Sequence, residues 1–244
     1  MEWSFAERGS NNMSAGLADP LSLVRVIASM LTKAGEIGVT VTLSSDFEEF
    51  GRLRLSVRGD CVSPMFDPRI SQLDSERAFW IGTFRSDGRP ISLQAFRLDI
   101  VHPNLAEWAL GWMAGLYIKS KELVLPSALQ PPAHSRARLL KGSLVYHGEM
   151  WIDKTFKRRD WFDVFPKLGV LLAYLKWQPH ALWALTSKQF ATHGYVARSG
   201  YGHQERGFLQ WEWEPRGADN IEWLILAERE HIEFLIAEEI SRLP

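Results

Sequence analysis

The sequence predicts a mixed α/β (α+β) fold, with a central, mostly antiparallel sheet flanked by helices. Three observations predict it. Segments with helical apolar spacing interleave along the chain with alternating, β-branched segments. The stretch Ser86-Asp87-Gly88-Arg89 between two apolar runs signals a hairpin, so at least one strand pair is antiparallel. A long helical stretch, Trp161 to Trp177, separates two strand-like segments, which is the spacing a parallel crossover needs.

Asp19-Pro20 reads as a helix start, an N-cap acceptor before proline, with a helix running to about Lys33. Ile37 to Leu43 alternates and is rich in β-branched residues, a strand signal. Ser45 followed by Glu48 has the form of a capping box, opening a helix that turns Phe47, Phe50 and Leu53 inward. Ala78 to Arg85 and Pro90 to Val101 are the two arms of the hairpin. Asn104 followed by Glu107 opens an apolar helix ending near Ile118. That run is too short for a bilayer, which needs roughly 20 apolar residues, so it reads as a buried helix.

Pro126 to Ala137 is a proline-rich loop, and Ser143 to Asp153 is a strand. In the helix from Trp161 to Trp177, Phe162, Phe165, Leu168, Leu172 and Leu175 share one face, and Pro179 stops it. Ala181 to Leu185 is a short buried-type strand, with a short helix from about Lys188. Phe208 to Trp213 and Glu222 to Ala227 are the last strands, and Glu228 to Arg242 is a closing helix. Residues 1–19 read as a loose tail. Residues 20–244 read as one domain, with a helical and loop insertion at about 102–139.

Composition sets few limits on function. The 244 residues are 46% hydrophobic and 23% charged, ordinary for a globular protein. The formal net charge of −1 gives no reason to expect nucleic acid as a partner. Cys61 is the one cysteine; it reads as a small buried hydrophobe, and the absence of a pair fits a reducing, cytoplasmic setting. The eleven tryptophans read mostly as core. There is no Gly-x-Ser-x-Gly elbow, no Gly-x-x-x-x-Gly-Lys phosphate loop, and no histidine or cysteine pairing suited to a metal.

The segment Gly148-Glu149-Met150-Trp151-Ile152-Asp153, followed by Lys154-Thr155-Phe156-Lys157-Arg158-Arg159-Asp160, the helix from Trp161 and the strand from Ala181, resembles the core of the GNAT (GCN5-related N-acetyltransferase) superfamily. The resemblance implies that acyl-CoA lies between two diverging strands and that its pyrophosphate sits on the loop before the helix. Lys157, Arg158, Arg159, Asp160 and Trp161 would be the cofactor-binding residues. Helix N-termini favour anions there, because their backbone N–H groups and dipole point outward. The sequence departs from the family loop: Lys157 stands at the Arg/Gln position, and Arg158 and Asp160 stand where glycines are usual. Asp160 reads either as a group against a phosphate or as a helix cap.

The resemblance also implies roles. Glu149 would be a base on the attacking amine, on a strand face shared with His147 and Trp151 by alternation. Tyr195 or Tyr201 would protonate the leaving thiolate. The implied activity is transfer of an acyl group from acyl-CoA, acetyl-CoA or another acyl thioester to a small-molecule or peptide amine, with no metal. The alternative is the same fold as a catalytically degenerate binding or regulatory module. A homodimer stays open on both readings.

Overall fold

The computed structural model describes residues 19–127, 131–156 and 160–243. Helix α1 (Pro20–Glu36) starts as expected, with the Asp19 carboxylate accepting from the Leu21 N–H. Strand β1 (Thr40–Ser44) begins three residues later than alternation predicts, because Ile37 and Gly38 close the helix. Helix α2 (Phe47–Arg58) is capped by Asp46, whose Oδ1 accepts from the Glu49 N–H at 2.9 Å. The expected cap, Ser45, is one residue too early. Strands β2 (Ala78–Phe84) and β3 (Pro90–Val101) form the predicted hairpin, with Gly88 at φ 78° in its turn.

Helix α3 (Leu105–Ser120) is capped by Asn104, and strand β4 (Leu125–Pro126) follows it. Strand β5 (Gly142–Ile152), helix α4 (Trp161–Trp177) and strand β6 (Ala181–Thr186) are the predicted crossover unit. Two short helices, α5 (Lys188–Thr192) and α6 (Tyr195–Arg198), lead to strands β7 (His203–Trp213) and β8 (Ile221–Glu228) and helix α7 (Arg229–Ser241). Strand β7 starts five residues before the predicted Phe208, since a bulge at Gly207 (φ 76°) interrupts its alternation.

The sheet order is β1-β2-β3-β5-β6-β8-β7-β4. Among the described residues β5–β6 is the parallel pair, and the others are antiparallel. One core lies under α1, α4 and α7, with Phe79, Phe96, Phe165, Leu168 and Leu182 in it. The other lies under α2 and α3, with Phe50, Trp80, Leu93, Met113 and Trp183. Helix α4 is buried over more than the predicted stripe: Gly169 and Val170 are covered, whereas Leu175 at the predicted face is 42% exposed. A Cβ at Gly169 would meet Phe96 at 2.5 Å, so glycine sets how closely α4 sits on β3. Lys167 of α4 and Glu239 of α7 form a buried ion pair at 2.7 Å. No helix among the described residues is long and apolar enough to cross a membrane.

Candidate functional site between β5 and β6

Pairing between β5 and β6 covers three positions, Leu144 with Ala181, Val145 with Leu182 and Tyr146 with Trp183. Beyond Tyr146 and Trp183 the strands continue without pairing. A cleft of about 720 Å³ opens there, lined on β5 by Tyr146 to Met150, on β6 by Ala184 to Thr186, and on α3 by Met113 and Tyr117. The parallel crossover places both C-terminal strand ends at one edge of the sheet, and a bulge in β5 drives them apart.

The bulge follows from register. Ala95 opposes Gly148 and Leu93 opposes Trp151, so two β5 residues stand against Gln94. Glu149 occupies the left-handed region at φ 59°, an uncommon conformation for a residue with a side chain. Here simple alternation fails. His147 stays on the α4 side, stacked on Phe96 with centroids 4.3 Å apart. Trp151 and Glu149 come to the α2–α3 side, so the expected shared face of Glu149, His147 and Trp151 does not exist. Gly148 allows the bend: a Cβ there would lie 2.6 Å from the Phe66 ring.

Glu149 is buried and bonded at both oxygens. Arg54 Nε donates to Oε2 at 2.6 Å, and the Ser63 N–H donates to Oε1 at 2.8 Å. Arg54 also pairs with Asp60. Arg54 itself sits on the apolar face of α2, seven residues after Phe47 and four after Phe50. A cation on such a stripe is a legible signal that a buried anion faces it. The pair therefore ties α2 and the following loop to the bulge.

His147 is buried. Its Nδ1 lies 2.6 Å from the Tyr201 hydroxyl, and both residues line the cleft. Burial lowers the His147 pKa to about 3, so the ring is neutral. Burial also pushes the Tyr201 phenol well above its ordinary value, keeping it protonated. Tyr195 is elsewhere: it packs on Phe162, Phe190 and His193 and is absent from the cleft lining. Of the two expected tyrosines, the structure brings Tyr201 to the gap and leaves Tyr195 beside it.

The loop before α4 is described in part. Lys157, Arg158 and Arg159 lie outside the described residues. Asp160 precedes the helix with no side-chain cap bond, so it is not the cap that its position allows. Trp161 is buried in the core beneath α4, with its Nε1 3.3 Å from the Ser92 hydroxyl. Its backbone, not its ring, is what the loop could present. Asp163 in the first turn accepts from Arg198 at 2.6 Å.

Two further residues line the cleft. Cys61, expected to be a small buried hydrophobe, is instead exposed, because the chain leaves α2 through left-handed Gly59 and runs along the surface. Glu222 lies on β8 on the same face as Leu224 and Leu226, beneath α3. Its Oε2 accepts from the Trp211 indole at 2.8 Å. Burial pushes its carboxyl up to about 7; the Trp211 bond opposes this and the nearby Asp219 charge adds to it. A carboxylate at an otherwise apolar strand position was the available signal. Among the described residues no group of side chains could hold a metal ion.

No protein-family model matches the chain, and no curated protein is similar to it in sequence. Several solved structures resemble it in shape. Arabidopsis thaliana NAA60 in complex with acetyl-CoA is 12% identical, with a TM-score of 0.42 over 78% of this chain and 99% of that one. The ribosomal-protein-S5-alanine acetyltransferase from Vibrio fischeri is 10% identical, with a TM-score of 0.46 over 79% and 94%. The aminoglycoside acetyltransferase AAC(6')-Ib in complex with coenzyme A and kanamycin is 10% identical, with a TM-score of 0.43 over 80% and 98%. Among the described residues the sheet order, the crossover between β5 and β6 and the gap where those strands part make up the mixed, mostly antiparallel sheet flanked by helices that the sequence predicts.

Proposed function

We propose that the protein is an N-acyltransferase that moves an acyl group from acyl-CoA, or another acyl thioester, to a small-molecule or peptide amine. One observation carries the reading: β5 and β6 stop pairing after Tyr146 and Trp183, and the resulting cleft has a protonated phenol on one side and carboxylates on the other. Strand edges without a ladder partner leave backbone N–H and C=O groups for an extended, amide-bearing ligand such as the pantetheine arm. The thioester would lie at the bulge. Tyr201 would give a proton to the departing thiolate, and the amine would enter from the α2–α3 side.

The pyrophosphate would rest against the start of α4, held by the backbone from Asp160 to Trp161 and by Lys157, Arg158 and Arg159. Tyr195 would act only through the packing of α5 and α6. The lone cysteine supports a reducing, cytoplasmic setting.

The test is thermal unfolding with acetyl-CoA and longer acyl-CoAs. A ligand at a hundred times its dissociation constant adds about 2.7 kcal/mol of stability. Lys157→Ala with Arg159→Ala should weaken binding and flatten its salt dependence. If no acyl-CoA moves the transition, the acyltransferase reading falls and the same cleft is that of a binding module.

A further inference from the structure

The cleft has two carboxylates on its α2–α3 side, Glu149 with a buried side chain and Glu222 half-buried, and their surroundings differ. Glu149 already holds Arg54 and the Ser63 N–H, one at each oxygen. It is a carboxylate neutralised by a guanidinium and fixed to a strained backbone position. Among the described residues Glu222 has no ion-pair partner. Trp211 occupies its Oε2, and no hydrogen bond among the described residues reaches Oε1.

Both carboxylates look onto the same phenols. Glu222, Glu149, Tyr117 of α3 and Tyr146 of β5 line one cleft, and both carboxylate charges raise the pKa of the two phenols. That cleft includes the gap where the thioester would lie.

We propose that Glu222 binds the acceptor's ammonium group and takes its proton, and that Glu149 is a positioning residue that holds Arg54 and the 60–65 loop at the cleft. This rests on the acyltransferase reading. An ammonium gives one proton to the Glu222 carboxylate and becomes a neutral amine. The amine's lone pair attacks the thioester carbonyl carbon of acyl-CoA, forming the C–N bond. The C–S bond then breaks, and its electron pair leaves on sulfur. The second nitrogen proton is lost as the thiolate gains one from Tyr201, which is reprotonated, and Glu222 releases its proton to solvent. The sum is ammonium plus acyl-CoA giving amide, free thiol and one proton.

The groups around Glu222 fit an ammonium that arrives desolvated. Trp211 on β7 donates to it, Tyr117 lines the same cleft from α3, and Asp219, whose charge acts on it, lies in the β7–β8 turn. Tyr146 and Glu149 line the same cleft from β5. Lys121 and Arg216 also line the cleft, nearer its mouth with Glu122, whose carboxylate accepts from the Arg216 N–H. A cation entering beside Glu222 meets its carboxylate in a cleft that Tyr117 also lines. Burial without a cation places Glu222's proton affinity near neutrality, which suits a proton acceptor at working pH.

The experiment uses the full chain with 15N-labelled indoles, acetyl-CoA, and n-propylamine as the acceptor probe. The Trp211 indole resonance reports Glu222 directly. It should titrate with a midpoint near 7 in the wild type and in Glu149→Gln, and lose that titration in Glu222→Gln. Propylammonium should shift it at pH 8, where Glu222 is ionised, and hardly at pH 6. With acetyl-CoA, thiol release at pH 8 should fall about 10²–10⁴-fold in Glu222→Gln while acetyl-CoA affinity stays within about twofold. An indole that does not titrate between pH 5 and 9, propylammonium that leaves it in place at pH 8, or wild-type thiol release by Glu222→Gln overturns the inference. Failure of acetyl-CoA to bind the wild type overturns the acyltransferase reading instead, and is seen without any variant.

Discussion

His147 Nδ1 and the Tyr201 hydroxyl meet at 2.6 Å beside the gap between β5 and β6, joining the strand before the bulge to the segment that follows α6. The contact is buried on both sides, and His147 Nε2 has no partner among the described residues. A neutral histidine is therefore part of the folded state. Protonating it would place a charge against Phe96 and Tyr201 with nothing to balance it.

This arrangement predicts an acid-sensitive fold. The folded pKa of His147, about 3, lies below the ordinary value of 6.5, so between these limits the unfolded chain binds more protons. Stability is then fully present above pH 6.5 and is lost as pH falls toward 3, by up to about 1.4 kcal/mol per pH unit. His231, also lowered by burial, adds in the same direction. Urea unfolding from pH 4 to 8 should show this slope, and His147→Phe should be flatter than wild type. Equal slopes would mean that the histidine is not the group being protonated.

A second prediction concerns Gly148. Its missing Cβ leaves room for Phe66, whose ring would be 2.6 Å away, and for Tyr146 at 3.2 Å. Gly148→Ala should cost about 1–3 kcal/mol through overpacking. Phe66→Leu in the same chain should recover part of that loss, because the two changes act on one contact. Denaturant midpoints of the two single variants and the double variant give the answer; strict additivity would show that Phe66 is not what the methyl meets.

The order of elements was legible in the sequence because each rests on local chemistry. Asp19-Pro20 and Asn104 cap helices where expected, Asp87-Gly88 makes the hairpin, and Gln178-Pro179 ends α4. The site was legible only in outline. Glu149 and Tyr201 reach the cleft, yet the bonding of Glu149 depends on a bulge that alternation cannot foresee. Arg54 lies 95 positions from Glu149 in the chain, and no local pattern links them. Glu222 acquires its environment from Trp211 across a strand pair and from a helix of the insertion. Such encounters are set by register and packing, which a pattern of residue types does not carry.

A third prediction tests the Arg54–Glu149 pair. The two side chains are 6% and 5% exposed, so solvent screens them little. Removing the cation alone leaves a buried carboxylate at Glu149 and a half-buried one at Asp60. Arg54→Ala should therefore destabilise the fold by about 3–5 kcal/mol. Arg54→Ala with Glu149→Ala should lose less than the two single changes summed, since the second removes the charge stranded by the first. Equilibrium unfolding of all four forms measures the coupling, and a coupling near zero would mean that water reaches the pair.

The last prediction separates the two tyrosines. Tyr201 lines the gap with its hydroxyl on His147, whereas Tyr195 packs among Phe162, Phe190 and His193 away from the lining. A proton donor to a leaving thiolate must reach the sulfur, and burial holds the Tyr201 phenol in its protonated form. Tyr201→Phe removes that proton and keeps the ring's packing. Thiol release from acetyl-CoA in the presence of an accepted amine should fall about 10²–10⁴-fold, with acetyl-CoA affinity nearly unchanged. Tyr195→Phe should stay close to wild type in both. His147→Gln provides the control for a merely structural role: it breaks the same hydrogen bond from the other side but leaves the phenol in place. If His147→Gln lowers turnover as much as Tyr201→Phe does, the hydrogen bond matters and the Tyr201 proton does not. If Tyr201→Phe alone is slow, the phenol is the acid that completes the transfer.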